Sequence, residues 1–524
     1  MTGVWRRIPL LAVFAICAWG SQQFDVVVYG ATAGGTIAAI AAAKEGIRVA
    51  LVEPGRHAGG MISGGLGKTD MERQQQVIGG LAREFFERVG KHYGEPVSWR
   101  FEPSVAERTL LNWLKEAGVS VFFDQRITGI RKHRNRVIVL RTAAGDEFQA
   151  AVFIDSSYEG DLMQAAGVSY TIGRESRSRY GESLAGRQDI LPGPHQFRAA
   201  VSPFGPDGKL LPFIQPQETI KSTGEGSRKF QSYCFRICLT RNADDRLPFP
   251  QPEHYDPARF ALLANYIRSL GDSARLRDFL GIATLPNDKA DVNSGGPVST
   301  DLPGASWDYP DASYERRQEI WREHLTWAQG LLYFLANDSG VPAAVRAEMN
   351  QWGLPKDEFP DTDHWPHQLY IREGRRMLGE YVLTQRDLQG QRHKEDSIGM
   401  GGYNIDIREV QWLAHDVYYF PSVRQQVFVE GYLSMPVEPY DIPYRALLPK
   451  REECENLLVT SCISASSVAY ASFRMEPQYM IAGQAAGIAA AQSVRTNTPL
   501  YRIDISALQR RLERQKQIIH LAAQ

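Results

Sequence analysis

The stretch from Phe24 to Glu53, FDVVVYGATAGGTIAAIAAAKEGIRVALVE, constrains the fold of this chain more than any other. A strand, a glycine-rich turn, an Ala-rich helix and a second strand are predicted in succession at Val26–Tyr29, Gly30–Gly35, Thr36–Lys44 and Arg48–Val52. An acidic residue closes the stretch eighteen positions after Gly35. This order predicts the first half of a dinucleotide-binding unit, and the alternative is an ordinary buried βαβ unit.

The glycine-rich turn is suited to an anionic ligand. Gly30 allows the tight turn, and Gly35 allows the helix to pack closely on the strand. The free N–H groups and the dipole at the helix N-terminus attract a pyrophosphate. Glu53 can accept hydrogen bonds from ribose hydroxyls. Thr32 stands where the usual motif has its middle glycine, which makes the turn slightly bulkier.

The length of 524 residues corresponds to about three domains' worth of chain. The 59 Lys and Arg residues nearly balance the 60 Asp and Glu residues, so no basic surplus favours nucleic acid as a partner. No pair of cysteines and no group of histidines has the spacing of a zinc site, and we therefore predict no metal.

The N-terminus has the pattern of a secretory signal peptide. Arg6 and Arg7 precede the apolar run Ile8–Ala18, and small residues stand at the −3 and −1 positions of a cleavage site before Ser21. The run is too short to cross a bilayer. We expect residues 1–20 to be removed from an exported protein, periplasmic or secreted, with no membrane span left. Export through the Sec or the twin-arginine route stays open, and the alternative is a frayed apolar tail.

Several later segments add to this plan. Gly55–Gly67 holds six glycines in thirteen residues, which indicates either a backbone pressed against a flat or anionic group or a flexible loop. Ser104 and Glu107 form a capping-box pattern for a helix at Val105–Ala117. A three-stranded meander is predicted at Ile127–Arg131, Val137–Arg141 and Glu147–Val152. Asp161 follows at the start of a short helix, where it caps the helix or binds a ligand.

From about residue 171 to 436 the composition changes, with more prolines and clustered aromatic residues. A helix is predicted at Gln368–Thr384, which would place Arg372, Arg375 and Arg376 on one face, facing an anion or acidic side chains. The last part of the chain is again typical of a dinucleotide-binding domain. It contains a predicted strand at Asn456–Thr460 and a thin, Gly- and Ala-rich helix at Gln478–Gln492.

With these segments in place, the chain resembles the FAD-dependent oxidoreductases of the glutathione-reductase-like two-domain kind. It is similar to a bacterial family of exported FAD-dependent oxidoreductases and, more distantly, to the flavoprotein subunits of succinate dehydrogenase and fumarate reductase. The segments that carry the resemblance are YGATAGGTIAAIAAA…VE, GGMISGGLG, FIDSSYEGDL, WPHQLYIREGRRMLGEY and RMEPQYMIAGQAAG, and they span residues 24 to about 495.

The resemblance implies an α/β fold with a Rossmann-like FAD-binding domain, a parallel sheet plus β-meander, interrupted by an inserted α+β substrate domain. The domain boundaries implied are 24–170 and 437–495 for the FAD-binding domain, 171–436 for the insertion and 496–524 for a C-terminal helical tail. The last helix would point its N-terminus at the flavin.

The resemblance also implies which residues hold noncovalent FAD. The residues implied are Gly30, Thr32, Ala33 and Gly35 at the pyrophosphate, Glu53 at the ribose, Gly60, Met61, Gly64 and Gly65 along the ribityl chain and flavin edge, Ile127 at the adenine, Asp161 near the cofactor, and Glu476 and Gly483 on the last helix. The strand that ends in Thr460-Ser461-Cys462 departs from the Gly-Asp pattern of the wider class, so contacts there stay open.

We expect a hydride transfer between flavin N5 and a small organic substrate, such as a carbohydrate-like alcohol, an acid or an amine, with an unknown electron acceptor. His367 is the candidate base, and the arginine face with Arg372 and Arg375 is a candidate carboxylate site. Tyr444 and Arg445 are secondary candidates. The alternatives are a fumarate-reductase-like enoate reductase with an arginine such as Arg372 as proton donor, or a polysaccharide lyase or glycan-binding protein with structural FAD.

Overall fold

A five-stranded parallel sheet forms the centre of the first predicted domain in the computed structural model, which describes residues 21–216, 223–390, 392–416 and 425–521. The predicted signal peptide lies outside these ranges. The strands of the sheet are β2 (Val26–Tyr29), β3 (Val49–Val52), β4 (Ser120–Phe122), β8 (Val152–Asp155) and β23 (Leu457–Val459), in the order β23-β8-β2-β3-β4. Strand β23 joins from the far end of the chain, so the domain is discontinuous in sequence, as predicted.

The β-meander is also confirmed. Its strands β5 (Ile127–His133), β6 (Arg136–Thr142) and β7 (Glu147–Gln149) are antiparallel neighbours. An additional strand that the sequence did not indicate, β1 (Ser21–Gln23), pairs in parallel with β7. The sheet that contains the meander therefore includes residues directly after the predicted cleavage site.

Among the described residues, seven helices belong to the same domain or follow it. They are α1 (Ala33–Lys44), α2 (Gly80–His92), α3 (Pro103–Glu116), α4 (Asp161–Ala165), α10 (Ser467–Phe473), α11 (Glu476–Thr496) and α12 (Ile505–Arg514). Helix α1 begins three residues earlier than predicted because Thr32 caps it, accepting a hydrogen bond from the N–H of Gly35 at 3.1 Å. Helix α10 was not predicted.

The predicted capping box of α3 is wrong. Glu102 occupies the N-cap position, and the N–H and hydroxyl of Ser104 donate to the carboxylate of Glu358 at 2.9 and 2.8 Å. Glu107 instead accepts hydrogen bonds from His57 and from the N–H of Ala58. Partners far away in the sequence thus replace the local bonds that the pattern favoured.

The inserted region contains mostly short elements. Its helices are α5 (Arg177–Tyr180), α6 (Ala261–Leu270), α7 (Tyr314–Asn337), α8 (Ala343–Met349) and α9 (Gln385–Gln389). Its strands are β9 (Tyr170–Thr171), β10 (Ile214–Gln215), β11 (Ile237–Thr240), β12 (Arg246–Leu247), β13 (Leu280–Thr284), β14 (Lys289–Ser294), β15 (Leu354–Pro355), β16 (Arg376–Met377), β17 (Ser397–Gly401), β18 (Ile405–Ile407), β19 (Gln411–Asp416), β20 (Gln425–Glu430), β21 (Leu433–Met435) and β22 (Tyr440–Pro443).

The helix predicted at Gln368–Thr384 is absent from the described chain, which is irregular there apart from strand β16. Strand β16 pairs with β9. The arginines in this stretch are buried and bind separate acidic partners, so they do not share one face. Ion pairing with distant acids, rather than helical periodicity, sets the conformation of this segment.

Two further properties concern the helices and the cysteines. No helix of the described residues is both long and apolar enough to cross a membrane. Within the same ranges Cys234, Cys238, Cys454 and Cys462 are buried free thiols.

Helices α1 and α11 pack through glycines. A Cβ atom placed on Gly483 would lie 2.1 Å from the carbonyl oxygen of Gly34, and one on Gly487 would lie 2.3 Å from the carbonyl oxygen of Ala38. Real side-chain atoms do not approach a backbone oxygen so closely, so these two positions of α11 require glycine. The structure therefore confirms the thin helix that the sequence predicted. This helix, α11, packs against α1.

The substitution Gly483→Ala tests this contact. Alanine favours a helix by about 1 kcal/mol over glycine, but the added methyl group must displace the backbone of α1. We expect the free energy of unfolding, measured by chemical denaturation, to fall by about 1–3 kcal/mol. Thr496→Ala at the exposed end of the same helix is the control, and it should change stability little. An unchanged or higher stability of Gly483→Ala would contradict the packing.

Candidate functional site

A pocket lies where the loops after strands β2, β3 and β8 meet the segment around His367. It has a volume of about 150 Å³. Its lining residues are Gly30, Thr32, Glu53, Pro54, Gly55, Arg56, His57, Gly60, Ser157, Tyr158, Glu159, His367 and Gln368. Loops at the carboxyl ends of parallel strands are where ligands bind in open α/β sheets. The inserted region closes the pocket with two residues.

The floor of the pocket is the turn between β2 and α1. Gly30 has a positive φ of 93°, and a Cβ atom on it would lie 2.7 Å from the backbone nitrogen of Ser157. A Cβ atom on Gly35 would lie 1.9 Å from the carbonyl oxygen of Gly30. Both glycines are thus required by the backbone, which confirms their structural roles. The unpaired N–H groups in the first turn of α1 point out of the N-terminal end of the helix, and this end faces the pocket.

Glu53 is the acidic group at the end of β3. Its carboxylate accepts hydrogen bonds from the N–H groups of Ala31 at 2.5 Å and Gly55 at 2.7 Å. Burial raises the pKa of Glu53 to about 7, against the effect of these two bonds. The two backbone hydrogen bonds therefore fix the carboxylate in place.

A chain of hydrogen bonds connects the pocket to the start of α11. The hydroxyl of Tyr158 accepts from the N–H of Met61 at 3.0 Å and donates to Oε1 of Glu476 at 2.8 Å. Burial raises the pKa of Glu476 to about 8. Its Oε2 atom has no hydrogen-bond partner among the described residues. A buried polar atom of this kind indicates that a further group completes the site.

Two histidine rings stack on one wall. The rings of His57 and His367 lie 3.8 Å apart at an angle of 10°. His57 is in contact with Glu107 at 3.0 Å and Asp361 at 3.1 Å, and both ring nitrogens of His367 are buried without a hydrogen-bond partner within the described residues. Burial opposes the charge of His57, but the two carboxylates outweigh it and raise its pKa. Burial and the neighbouring His57 lower the pKa of His367 to about 3.

The predicted arginine face is not assembled. Arg372 is paired with Asp301 at 2.6 Å, and Arg375 with Asp161 at 2.8 Å. Burial lowers the pKa of Arg372, but the charge of Asp301 outweighs this effect and raises it overall. Arg376 binds Glu175 at 2.6 Å and also contacts Glu373. Each charge is thus balanced by an acid within the protein.

The secondary candidates lie away from the pocket. The hydroxyl of Tyr444 donates to the carbonyl oxygen of Leu500 at 3.1 Å. Arg445 is paired with Asp396 at 2.9 Å on the surface. Neither residue lines the pocket, and both connect segments near the C-terminal part of the chain.

The residues predicted to hold a cofactor separate into three groups. The first group lines the pocket and consists of Gly30, Thr32, Glu53 and Gly60. The second group lies beside its walls and consists of Ala33, Gly35, Met61 and Glu476. The third group does not line the pocket and consists of Gly64, Gly65, Ile127, Asp161 and Gly483.

The third group has other neighbours. A Cβ atom on Gly64 would collide with the side chain of Gln368, and one on Gly65 with the backbone of Arg236. The N–H of Ile127 donates to the hydroxyl of Tyr29 at 3.0 Å. Ile127 and Asp161 line a second pocket, beside the start of α7. Their contacts with a cofactor stay predictions. The same holds for Gly483, which lies on α11 and packs against α1.

Eight pocket residues were not singled out from the sequence, and His57, Tyr158 and Glu159 are three of them. Each stands in a segment that the sequence did mark, His57 in the glycine-rich stretch after Glu53 and the other two in the polar turn after β8. The position of these three residues within predicted loops was the signal that the sequence offered for them. Their contacts, with partners distant in sequence, were not visible.

The sequence model of a family described as "FAD dependent oxidoreductase" matches residues 25–512.

Several solved structures are similar over part or most of the chain. A geranylgeranyl bacteriochlorophyll reductase-like protein from Thermoplasma acidophilum is 12% identical, with 94% of this chain and 83% of that chain covered and a TM-score of 0.35. OxyS anhydrotetracycline hydroxylase from Streptomyces rimosus is 13% identical, with 32% and 41% covered and a TM-score of 0.24. A p-nitrophenol 4-monooxygenase, PnpA, from Pseudomonas putida DLL-E4 is 12% identical, with 30% and 45% covered and a TM-score of 0.21. The chain spans less than half the length of the last two.

The stacked histidines give opposite pH dependences of stability. The raised pKa of His57 stabilises the folded state below about pH 6.5, and this contribution is lost as pH rises through the folded-state pKa. The lowered pKa of His367 destabilises the folded state as pH falls from about 6.5 toward 3. We therefore expect His57→Gln to cost more stability at pH 5 than at pH 8, and His367→Gln to cost less at pH 5 than at pH 8.

The measurement is chemical denaturation of both variants and the parent protein at the two pH values. His92→Gln, an exposed residue at the end of α2, is the control and should show no such difference. Parallel pH dependences of the His57 and His367 variants would contradict the assigned protonation states.

Proposed function

The chain belongs to the family of FAD-dependent oxidoreductases, and on that basis we propose that its pocket holds FAD between the adenosine ribose at Glu53 and the flavin end at Tyr158, with His367 acting on the substrate. FAD is the cofactor of this enzyme. The observation that carries the proposal is that one pocket is lined together by the N-terminal turn of α1, by Glu53 and by His367.

The residues present fit FAD. The N-terminus of α1 suits the pyrophosphate, because its free N–H groups and dipole stabilise negative charge. Glu53 is positioned by two backbone N–H groups and can accept hydrogen bonds from ribose hydroxyls. The pocket volume of about 150 Å³ is below the range of about 300–1,000 Å³ of sites that enclose a drug-sized ligand. It therefore encloses only part of the cofactor.

We assign the flavin end to the wall of Tyr158 and Glu476. The N-terminus of α11 lies there, and a helix N-terminus stabilises negative charge on a reduced ring. The Oε2 atom of Glu476 lacks a protein partner within the described residues, and it can donate to the ring when the carboxyl is protonated or accept from a ring N–H group when it is ionised. When bound, FAD supplies two-electron chemistry by taking up or releasing a hydride at N5.

His367 is proposed to accept the proton that leaves the substrate as the hydride is transferred. Its lowered pKa keeps the imidazole neutral at working pH, with a lone pair that can accept a proton, and it also makes the ring a weaker base than a free histidine. Its two ring nitrogens are not engaged by described side chains or backbone, whereas His57 is fixed by two carboxylates. The substrate class is a small alcohol, amine or hydroxy acid.

The buried ion pairs favour substrate oxidation with His367 as the base over enoate reduction with an arginine as proton donor. Arg372 is held by Asp301, and the raised pKa of its guanidinium, which follows from the charge of Asp301 overcoming burial, makes proton release harder. His367 has no such partner.

Glu53→Ala tests the cofactor assignment. Loss of hydrogen bonds to a charged group costs about 1.5–3 kcal/mol, so the dissociation constant of FAD should rise about 10- to 100-fold. The measurement is a fluorescence titration of the cofactor-free protein with FAD. Glu116→Ala, an exposed residue on α3, serves as control. A change below twofold in Glu53→Ala would exclude Glu53 from the site.

His367→Gln tests the base. The yellow parent protein should bleach anaerobically with at least one member of a panel of sugars, polyols, amines and hydroxy acids. The variant should stay yellow but reduce its flavin about 10²- to 10⁴-fold more slowly. His92→Gln should react as the parent does. For the parent, kcat/KM should show no inflection near pH 6.5, because the pKa of His367 is lowered to about 3.

Two results would contradict the proposal. Bleaching of His367→Gln at the rate of the parent would exclude His367 as the base. A colourless protein that does not take up FAD would exclude the cofactor site itself.

A further inference from the structure

Two histidines and an aspartate from three distant parts of the chain converge near the C-terminus. They are His393, before strand β17, Asp441 on β22, and His520 in the tail after α12. One possible ligand atom from each lies within 4.8 Å of the others. We propose that this trio binds a zinc ion that fastens the C-terminal tail to the protein.

The distances within the trio suit a tetrahedral ion. Nδ1 of His393 lies 3.1 Å and Nδ1 of His520 2.9 Å from the same oxygen, Oδ2 of Asp441. Ligand bonds of about 2.0–2.1 Å at tetrahedral angles place neighbouring ligand atoms about 3.3 Å apart. Small movements of the side chains therefore bring all three atoms into position.

A hydrogen-bonded arrangement does not account for His520. Its Nδ1 atom is buried and lies 2.9 Å from Oδ2 of Asp441, but the ring is not aligned for a hydrogen bond to that oxygen. Imidazole nitrogen and carboxylate oxygen are both ligands that zinc accepts. The exposed ring of His393 leaves a side of the trio open to water, which can supply a fourth ligand.

The aspartate is held rigidly, as a metal ligand should be. Its Oδ2 atom accepts a hydrogen bond from the N–H of Lys394 at 2.8 Å. Asp441 pairs with Met400 across strands β22 and β17. Bonds of this kind orient a ligand before the ion arrives.

The tail that carries His520 rests on two elements of the core. The hydroxyl of Ser397 donates to the carbonyl oxygen of Ile519 at 2.7 Å, and the side-chain amide of Gln517 donates to the carbonyl oxygen of Ile481 on α11 at 3.2 Å. An ion at the trio would therefore hold the tail against β17 and α11. This role does not depend on the redox reaction.

The test uses the full-length, FAD-loaded protein without a histidine tag, stripped of metal and titrated with ZnCl₂ by calorimetry. We expect one equivalent to bind. His393→Ala, Asp441→Asn and His520→Ala should each weaken this binding by at least about tenfold. His92→Ala should bind as the parent does, and MgCl₂ should not bind at the trio, because magnesium prefers oxygen ligands.

Hydrogen exchange locates the ion. Zinc should slow amide exchange in residues 515–521 of the parent and of His92→Ala, but not of His520→Ala. Absence of zinc binding, or binding that all three substitutions leave unchanged, would overturn the proposal. FAD content, measured by absorbance, should be the same in all variants, which separates this result from any failure of the proposed redox function.

Discussion

The close contact between α1 and α11 is the constraint on which the rest of the structure depends. It joins the beginning of the chain to its end, because Gly34 and Gly483 approach at a distance that leaves no room for a Cβ atom. The same return of the chain inserts β23 beside β8 and completes the parallel sheet. Without this contact the sheet would lose an edge strand and α11 would lose its orientation.

The orientation of α11 in turn determines the site. Its first residue, Glu476, is brought to the hydroxyl of Tyr158, which also bonds the glycine-rich loop through Met61. One short chain of hydrogen bonds therefore connects the two halves of the FAD-binding domain and the loop between them. On the proposed function, the cofactor is held at a junction of segments and not within one motif.

The inserted region is stabilised differently, by buried ion pairs. Arg236 with Asp291, Arg372 with Asp301 and Arg174 with Glu430 are almost entirely removed from solvent. A buried pair contributes little net stability, but removal of one partner is costly because the other charge is left unpaired. Such pairs determine how the irregular segments are arranged, and they hold the segment that delivers His367 to the pocket.

The sequence predicted what local patterns encode. The strand at Val26–Tyr29, the helix α1 and the β-meander follow from hydrophobic periodicity and glycine placement, and α11 from its small residues. The same reasoning failed at residues 368–384, where arginines at helical spacing are buried against acids from other segments.

The pocket could be predicted only in part for the same reason. Gly30, Thr32 and Glu53 belong to one motif and were found. The stacking of His57 on His367 and the meeting of His393 with His520 are products of tertiary structure, and the positions involved are far apart in the sequence. Spacing rules for ligands apply within a local motif and could not detect either pair.

The most direct test of the account is amide hydrogen exchange of the protein with and without FAD. The account predicts slower exchange on FAD binding in residues 30–36, 53–60, 156–160 and 366–369 together, because these segments line one pocket. Protection confined to residues 126–129 and 311–317, around the second pocket, would contradict it.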